Sequence, residues 1–260
     1  MPEISSHTPG TFCWPELVTT DRAAAVTFYR ALLGWDLAVQ PAGQQDVYSM
    51  FQTRGKSVAA AYTMRAEERD QGAPPHWNVY VSVTSADKVA LGAEDLGGMV
   101  LVPPFDVFDV GRMAVVKDPT GATFSVWQPR RHIGAEIIRE PNTLCWTELL
   151  TPDPTATGNF YTQLFGWEAT IGQAGPFPYT EFSVDGTLDS GMMPINPEWG
   201  PVPPQWLSYF LVADCDRSAA KTTELGGKVV IPPTDIPDVG RSAVVRDPQG
   251  AMFGLFAGAP

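Results

Sequence analysis

Cysteine and histidine are scarce in this chain, and neither is arranged as a disulfide framework or a metal site usually requires. Three cysteines in 260 residues are too few to form a disulfide framework that stabilises the fold. Cys13 and Cys145 occupy repeat-related positions and are expected to be buried thiols in a reducing compartment. The three histidines, His7, His76 and His132, show no pair at ligand spacing on one element. The histidines by themselves therefore predict no metal centre.

The chain also lacks an excess of positive charge and any long hydrophobic run. Seventeen basic and 29 acidic residues give a formal charge of −12, and no basic stripe favours nucleic acid or an anionic membrane as a partner. No apolar run approaches the roughly 20 residues of a membrane span, and the N-terminus shows no secretion signal. We therefore expect a cytoplasmic protein whose partner is a small molecule, either neutral, cationic or shielded from the overall field.

What the chain does contain is an internal duplication. Six of ten positions are identical between residues 10–19 and 142–151, and 15 of 22 between 103–124 and 232–253. A repeat this long indicates a duplicated domain. The polar, proline-flanked stretch 131–141 reads as a linker. The predicted domains are 8–130 and 142–260.

Hydrophobic periodicity divides each half into two β-α-β-β-β units. In the first unit, Asp21 is a helix N-cap signal, apolar residues follow at helical spacing, and Gly34 is a C-cap signal. The predicted fold class is α+β: four such units form two cupped mixed sheets with the helices outside. The residues do not decide whether units pair within a half or across halves.

The duplicated opening strand carries an unusual carboxylate. Alternation places Phe12, Trp14, Glu16 and Val18 on one face, as for Leu144, Trp146, Glu148 and Leu150 in the second half. A buried carboxylate is costly unless it is paired or protonated. Three structural explanations are a salt bridge with Arg112 or Arg241, a solvated strand end, or a backbone hydrogen bond. The functional alternative is that each Glu orients a ligand or acts as a general base.

Several short motifs together resemble the vicinal oxygen chelate superfamily, which includes glyoxalases, bleomycin-binding proteins and extradiol dioxygenases. They are Phe28-Tyr29, Leu33-Gly34-Trp35 and Asp118-Pro119-Thr120-Gly121, with second-half counterparts at 160–161, 165–167 and 247–250. The resemblance covers nearly the whole chain twice and is nearest to two-domain actinobacterial proteins. It implies the tandem fold described above, whereas this superfamily hosts lyases, oxygenases and non-catalytic binders alike.

The resemblance also implies where a divalent metal would bind in metal-dependent members. The three ligand positions fall on Trp14, Asn78 and Ser125 in the first half and on Trp146, Leu207 and Gly254 in the second. None is His, Asp or Glu, so we predict no metal and no cofactor. Aromatic side chains instead supply stacking surface or simply fill the core. The predicted site residues are Glu16 and Glu148 as candidate catalytic groups, with ligand contacts from Trp14, Trp146, His76, Asn78, Ser125, Trp127, Arg112, Gln205, Leu207, Arg241 and Phe256.

The sequence predicts the first of four functions and leaves the other three as alternatives. The first is a metal-free protein that binds a small hydrophobic or aromatic metabolite in an aromatic-lined cavity. The second is a metal-independent enzyme of secondary metabolism that uses Glu16 or Glu148 as acid or base. The third is a metal-dependent glyoxalase-like lyase or dioxygenase, and the fourth a structural module with filled pockets. The expected quaternary state is a monomer that acts as an internal pseudo-dimer, with a homodimer left open.

Overall fold

The protein folds into two equivalent halves, each built on one eight-stranded mixed sheet. The computed structural model describes residues 4–41, 47–70, 72–174 and 177–259. The first-half strands are β1 (Phe12–Thr19), β2 (Asp36–Pro41), β3 (Val47–Thr53), β4 (Lys56–Thr63), β5 (His76–Ser82), β6 (Met99–Val107), β7 (Gly111–Lys117) and β8 (Thr123–Pro129), and its helices are α1 (Arg22–Leu33), α2 (Ala66–Asp70) and α3 (Ala86–Asp95).

The second half repeats this order without a counterpart of α2, which is replaced by a 3-10 turn at Pro197–Trp199. None of the helices in the described ranges is long and apolar enough to cross a membrane. The strands are β9 (Leu144–Thr151), β10 (Glu168–Ala174), β11 (Phe177–Val184), β12 (Thr187–Pro194), β13 (Gln205–Leu211), β14 (Lys228–Ile236), β15 (Gly240–Arg246) and β16 (Met252–Gly258), and the helices are α4 (Pro154–Phe165) and α5 (Cys215–Glu224).

Strand order shows that units pair within a half. The first sheet runs β2-β3-β4-β1-β5-β8-β7-β6, and the second runs β10-β11-β12-β9-β13-β16-β15-β14. The two central strands, β1 and β5, are antiparallel, and each has a parallel neighbour on its other side, β4 and β8 respectively. The opening strand of each half therefore lies at the centre of its own sheet. The arrangement across halves that the sequence left open does not occur.

Helix α1 begins and ends where its capping residues predict. Asp21 accepts a hydrogen bond from the Ala24 amide at 3.0 Å, and Gly34 adopts φ +70° after the last turn of α1. Only a residue without Cβ takes this left-handed conformation without strain. The short helix α2 is an addition to the predicted β-α-β-β-β unit.

The helix-covered faces of the two sheets form two shared cores. One contains α1 of the first half and α5 of the second, and the other contains α3 and α4. The Tyr29 hydroxyl donates to Asp247 Oδ2 of the other half at 3.0 Å, and Tyr161 donates to Asp118 at 3.2 Å. Each Asp-Pro-x-Gly turn thus holds a tyrosine from the opposite half. The two halves are joined by burial as well as by the linker.

A β-bulge changes one detail of the opening strand. The pairing register with β5 shifts between Phe12 and Trp14. Phe12 therefore points to the helix side, where its ring lies 4.8 Å from that of Trp206, whereas Trp14 points to the concave side. Leu144 differs from Trp146 in the same way. The predicted shared face was wrong for Phe12 and Leu144 because simple alternation does not hold across a bulge.

Candidate functional site

The concave face of each sheet forms a cup lined by aromatic side chains around one glutamate. We call the residues Trp14, Glu16, Tyr48, Tyr80 and Trp127 the first cup. Their equivalents form the second cup: Trp146, Glu148, Tyr179, Tyr209 and Phe256. Strand pairing establishes the equivalence, because Trp14 faces Tyr80 across β1 and β5 as Trp146 faces Tyr209 across β9 and β13.

In the first cup, Glu16 is held by two tyrosines. The Tyr48 hydroxyl donates to one carboxylate oxygen and the Tyr80 hydroxyl to the other, both at 2.6 Å. Trp14 Nε1 in turn donates to the Tyr48 hydroxyl at 3.2 Å. Glu16 is only 7% exposed. Burial raises its pKa, and the two tyrosine hydrogen bonds partly oppose that effect.

The second cup repeats this network almost atom for atom. The hydroxyls of Tyr209 and Tyr179 donate to the two oxygens of Glu148 at 2.9 and 3.0 Å. Trp146 Nε1 donates to the Tyr179 hydroxyl at 2.9 Å. Desolvation again raises the pKa of the glutamate, against the effect of both tyrosines. The same Trp–Tyr–Glu–Tyr network is therefore built twice.

These tyrosines explain how the fold tolerates the glutamates. They were not among the site residues predicted from the sequence. Tyr80 and Tyr209 each lie three residues after a tryptophan that opens the second unit, at Trp77 and Trp206. This repeat-related spacing, together with alternation along β5 and β13, would have placed them beside the glutamates. Tyr48 and Tyr179 lie on strands of low local sequence similarity, so only the fold identifies them.

The two arginines considered as partners of the glutamates lie elsewhere. Arg112 makes two hydrogen bonds to Asp87 at 2.8 Å and one to Asp106 at 3.0 Å. Arg241 makes the equivalent contacts with Asp216 and Asp235. Both sets tie a strand to the neighbouring helix at the surface. The salt-bridge explanation for the glutamates was wrong, because tyrosine hydroxyls occupy that role.

The remaining predicted contacts divide between the two cups and their rims. Asn78 and Ser125 lie on the concave face of the first half, where Asn78 Nδ2 donates to Ser125 Oγ at 2.8 Å. Leu207 is buried in the second cup. His76 Nδ1 lies 2.9 Å from the Pro74 carbonyl oxygen, next to its own loop. Gln205 contacts the carbonyl of Pro203 in the same manner at 3.4 Å.

The positions at which related metalloproteins would ligate a metal do not fit one here. Tryptophan, leucine and glycine side chains offer no ligand atom, and the Asn78 and Ser125 side chains bond to each other. Within the described ranges, no three His, Cys, Asp or Glu side chains lie close enough together to hold a metal ion. The chemistry available in the cups is therefore that of carboxylates, phenols and aromatic faces.

Outside the cups, an open groove of about 340 Å³ lies between α3 and β6. Its lining includes Leu91, Val100 and Pro103, and its carboxylates include Asp87, which is paired with Arg112. The groove lies on the helix side of the sheet, away from the glutamates. It contributes nothing to the network described above.

Comparison with known proteins adds the evolutionary context. Residues 11–126 and 134–255 match the family model described as the glyoxalase/bleomycin resistance protein/dioxygenase superfamily. The chain is 41% identical over its whole length to CFP32 of Mycobacterium tuberculosis, whose name includes the word glyoxylase, and covers 99% of that protein. It is 35% identical to the anthracycline biosynthesis protein DauV of Streptomyces sp., covering 97% of this chain and 94% of the relative.

The fold is also found in solved structures of low sequence identity. The Mn(II)-bound glyoxalase from Novosphingobium aromaticivorans superposes with a TM-score of 0.65 at 14% identity, covering 96% of this chain and 82% of that one. The 2,3-dioxygenase LapB from Pseudomonas sp. gives 0.64 at 15% identity, covering 96% and 92%. Likeness at this identity shows the architecture alone.

Proposed function

Because the chain belongs to the glyoxalase/bleomycin resistance protein/dioxygenase superfamily and lines its cups with aromatic side chains, we propose that it binds a small, largely aromatic metabolite. We propose further that binding needs no divalent metal. The observation that carries this proposal is the Trp–Tyr–Glu–Tyr network, which lines the concave face of the sheet in both halves.

The relatives favour a role in secondary metabolism. DauV is named for anthracycline biosynthesis, and anthracyclines contain a planar fused aromatic ring system. Flat aromatic ligands are commonly recognised by concave apolar sites with a few fixed polar groups. The proposal also keeps the protein in the cytoplasm, since all three cysteines are free thiols, which suits a reducing compartment.

A direct test is titration of the protein with daunorubicin and a panel of smaller polycyclic aromatics, monitored by quenching of tryptophan fluorescence. We expect saturable binding that is unchanged after exhaustive dialysis against EDTA. Elemental analysis of the protein after incubation with Fe(II), Mn(II), Ni(II) and Zn(II) is the control. Near-stoichiometric metal together with metal-dependent binding would instead support a glyoxalase-like lyase or dioxygenase.

A second candidate function is a metal-independent enzyme in which Glu16 or Glu148 transfers a proton. The raised pKa of both carboxyl groups supports it, because a general base or acid works best with a pKa near the working pH. For this candidate, Glu148→Gln should preserve ligand affinity and abolish turnover. For a pure binding protein, product analysis after prolonged incubation of the wild type shows the ligand unchanged.

A further inference from the structure

The two cups share one network but differ in how far they are closed. In the first, the linker crosses the concave face: the His132 ring stands edge-on to Trp14 at 4.8 Å, and the His132 carbonyl accepts a hydrogen bond from Trp127 Nε1 at 2.7 Å. The Ala135 amide also donates to the Cys13 carbonyl at 2.8 Å. These contacts leave Trp14 and Trp127 only 4% and 6% exposed.

In the second cup the equivalent side chains remain partly exposed. Trp146, Glu148 and Phe256 are all of intermediate accessibility, whereas their first-half counterparts are buried. Because the two halves have the same strand order and the same hydrogen-bond network, this contrast is a matched comparison within one molecule. A ligand can therefore reach the second glutamate without displacing the linker.

In the second cup, two glycines of the sheet leave room for the tyrosine rings. Glu148 is aligned with Gly191 of β12, and Tyr209 with Gly254 of β16. A Cβ at Gly254 would lie 2.0 Å from the Tyr209 ring, and one at Gly191 would lie 2.1 Å from the Tyr179 hydroxyl. The tyrosines thus lie directly over these glycines. The first half has Ala60 and Ser125 at the two positions.

Among the described residues, no cation pairs with the glutamates of the second cup. Next to Gly191 in the sheet comes Glu181, on the same face of β11 as Tyr179 and of intermediate accessibility. Its first-half counterpart is Met50, which lies opposite Ala60. In the part of the chain that the structure describes, neither Glu148 nor Glu181 forms an ion pair, and the hydrogen bonds to Glu148 come from neutral tyrosines.

We propose that the second cup is the ligand site and that it takes a flat aromatic cation, with a protonated amine bound by Glu148 and Glu181. The aromatic ring system of the ligand lies against Trp146 and Phe256. An ammonium group fits this position because it supplies the missing countercharge and can also contact the face of an indole. The first cup is then a closed structural copy. This inference rests on the proposed function and names the class of ligand.

The test uses two probes of nearly equal shape: 9-aminoacridine, which is protonated at neutral pH, and acridine, which is neutral. Affinities are measured by fluorescence titration at pH 7.5 and low salt. We expect 9-aminoacridine to bind the wild type at least roughly tenfold more tightly than acridine, since hydrogen bonds between charged groups are the stronger ones. Glu148→Gln should remove this preference while leaving the affinity for acridine nearly unchanged.

Glu16→Gln is the matched control, because it makes the same change in the same network of the closed cup. The preference for 9-aminoacridine over acridine should fall further in Glu148→Gln than in Glu16→Gln. Gly254→Ser, which copies the first half, should weaken both probes by displacing Tyr209, whereas Ser125→Gly should not. Thermal midpoints of all variants establish that they fold before affinities are compared.

The outcomes separate this inference from the function on which it rests. Equal affinity of the two probes for the wild type, or loss of the preference in Glu16→Gln instead of Glu148→Gln, overturns the inference while aromatic binding stands. If no aromatic compound binds at all, both are rejected. Acrylamide quenching gives a result without any ligand: Trp146→Phe should remove an accessible component of the fluorescence and Trp14→Phe a protected one, and the reverse would contradict an open second cup.

Discussion

The buried carboxylate networks can be tested by removing the same hydroxyl group from each half. Tyr80→Phe removes the O–H that donates to Glu16 at 2.6 Å, and Tyr209→Phe removes the O–H that donates to Glu148 at 2.9 Å. Both tyrosines are buried, at 5% and 8% exposure. The two substitutions therefore delete the same atom in nearly the same packing environment, and differ in the exposure of the glutamate left behind.

The expected cost follows from that exposure. Glu16 is 7% exposed, so water cannot easily replace the lost donor, and an acceptor left unsatisfied in this way costs about 1.5–3 kcal/mol. Glu148 is partly exposed and can take a water molecule instead, so the expected cost is about 0.5–1 kcal/mol. For a chain of this size the thermal midpoint falls by roughly 3–8 °C for Tyr80→Phe and by roughly 1–3 °C for Tyr209→Phe.

The assay is thermal unfolding followed by circular dichroism at pH 7, with urea unfolding as a second measure. Tyr62→Phe is the control for removing a phenol oxygen near the cup, since its partner Glu68 belongs to the surface helix α2 and the expected shift is small. Equal losses for Tyr80→Phe and Tyr209→Phe would refute the reasoning. So would stabilisation by Tyr80→Phe, because it would mean that the hydroxyl is not needed by Glu16.

Three further substitutions test the linker, a close approach and the contact between halves. Burial lowers the pKa of His132 to about 4, from about 6.5 in the unfolded chain, so the stability that this group contributes is complete above pH 6.5 and falls by up to about 3 kcal/mol as the pH drops towards 4. Urea midpoints measured as a function of pH should show this fall in the wild type and lack it in His132→Phe. The same pH dependence in both proteins would contradict the prediction. Gly111→Ala places a Cβ 2.2 Å from the Trp127 ring and should cost about 1–3 kcal/mol with a changed near-ultraviolet spectrum, whereas an unaltered midpoint and spectrum would disprove the close approach. Tyr29→Phe leaves Asp247 without its donor from the other half and should cost about 2 kcal/mol by urea unfolding, unless the halves are held together without this bond.

The architecture could be predicted from the sequence, because local patterns identify the helices and strands and because the same patterns occur in both halves. Capping residues such as Asp21 and Gly34 bound a helix through contacts within a few residues, so they can be read without knowing the rest of the chain. The long repeat established the duplication, and the motifs around it pointed to the family. Prediction failed locally at Phe12, where an unpaired residue shifts the register in a way that alternation cannot reveal.

Only part of the candidate site could be predicted, because the hydrogen-bond donors to its glutamates come from strands distant in the sequence. Trp14 and Glu16 were identified from their own strand, but the hydroxyls that satisfy Glu16 come from Tyr48 and Tyr80, on β3 and β5. Local spacing says nothing about which strands meet in a sheet, so the sequence reading considered Arg112 instead.

The sequence by itself determined the duplicated fold and the presence of a tryptophan and a glutamate on the opening strand of each half. Only the tertiary structure decided that each half forms its own cup, and that the linker packs on the first cup while the second stays open. The physical reason is that the exposure of a side chain depends on which distant segments of the chain pack against it. Glu16 and Glu148 lie in similar local sequences, yet Glu16 is buried and Glu148 is partly exposed, and the linker residue His132 packs against Trp14, two residues from Glu16.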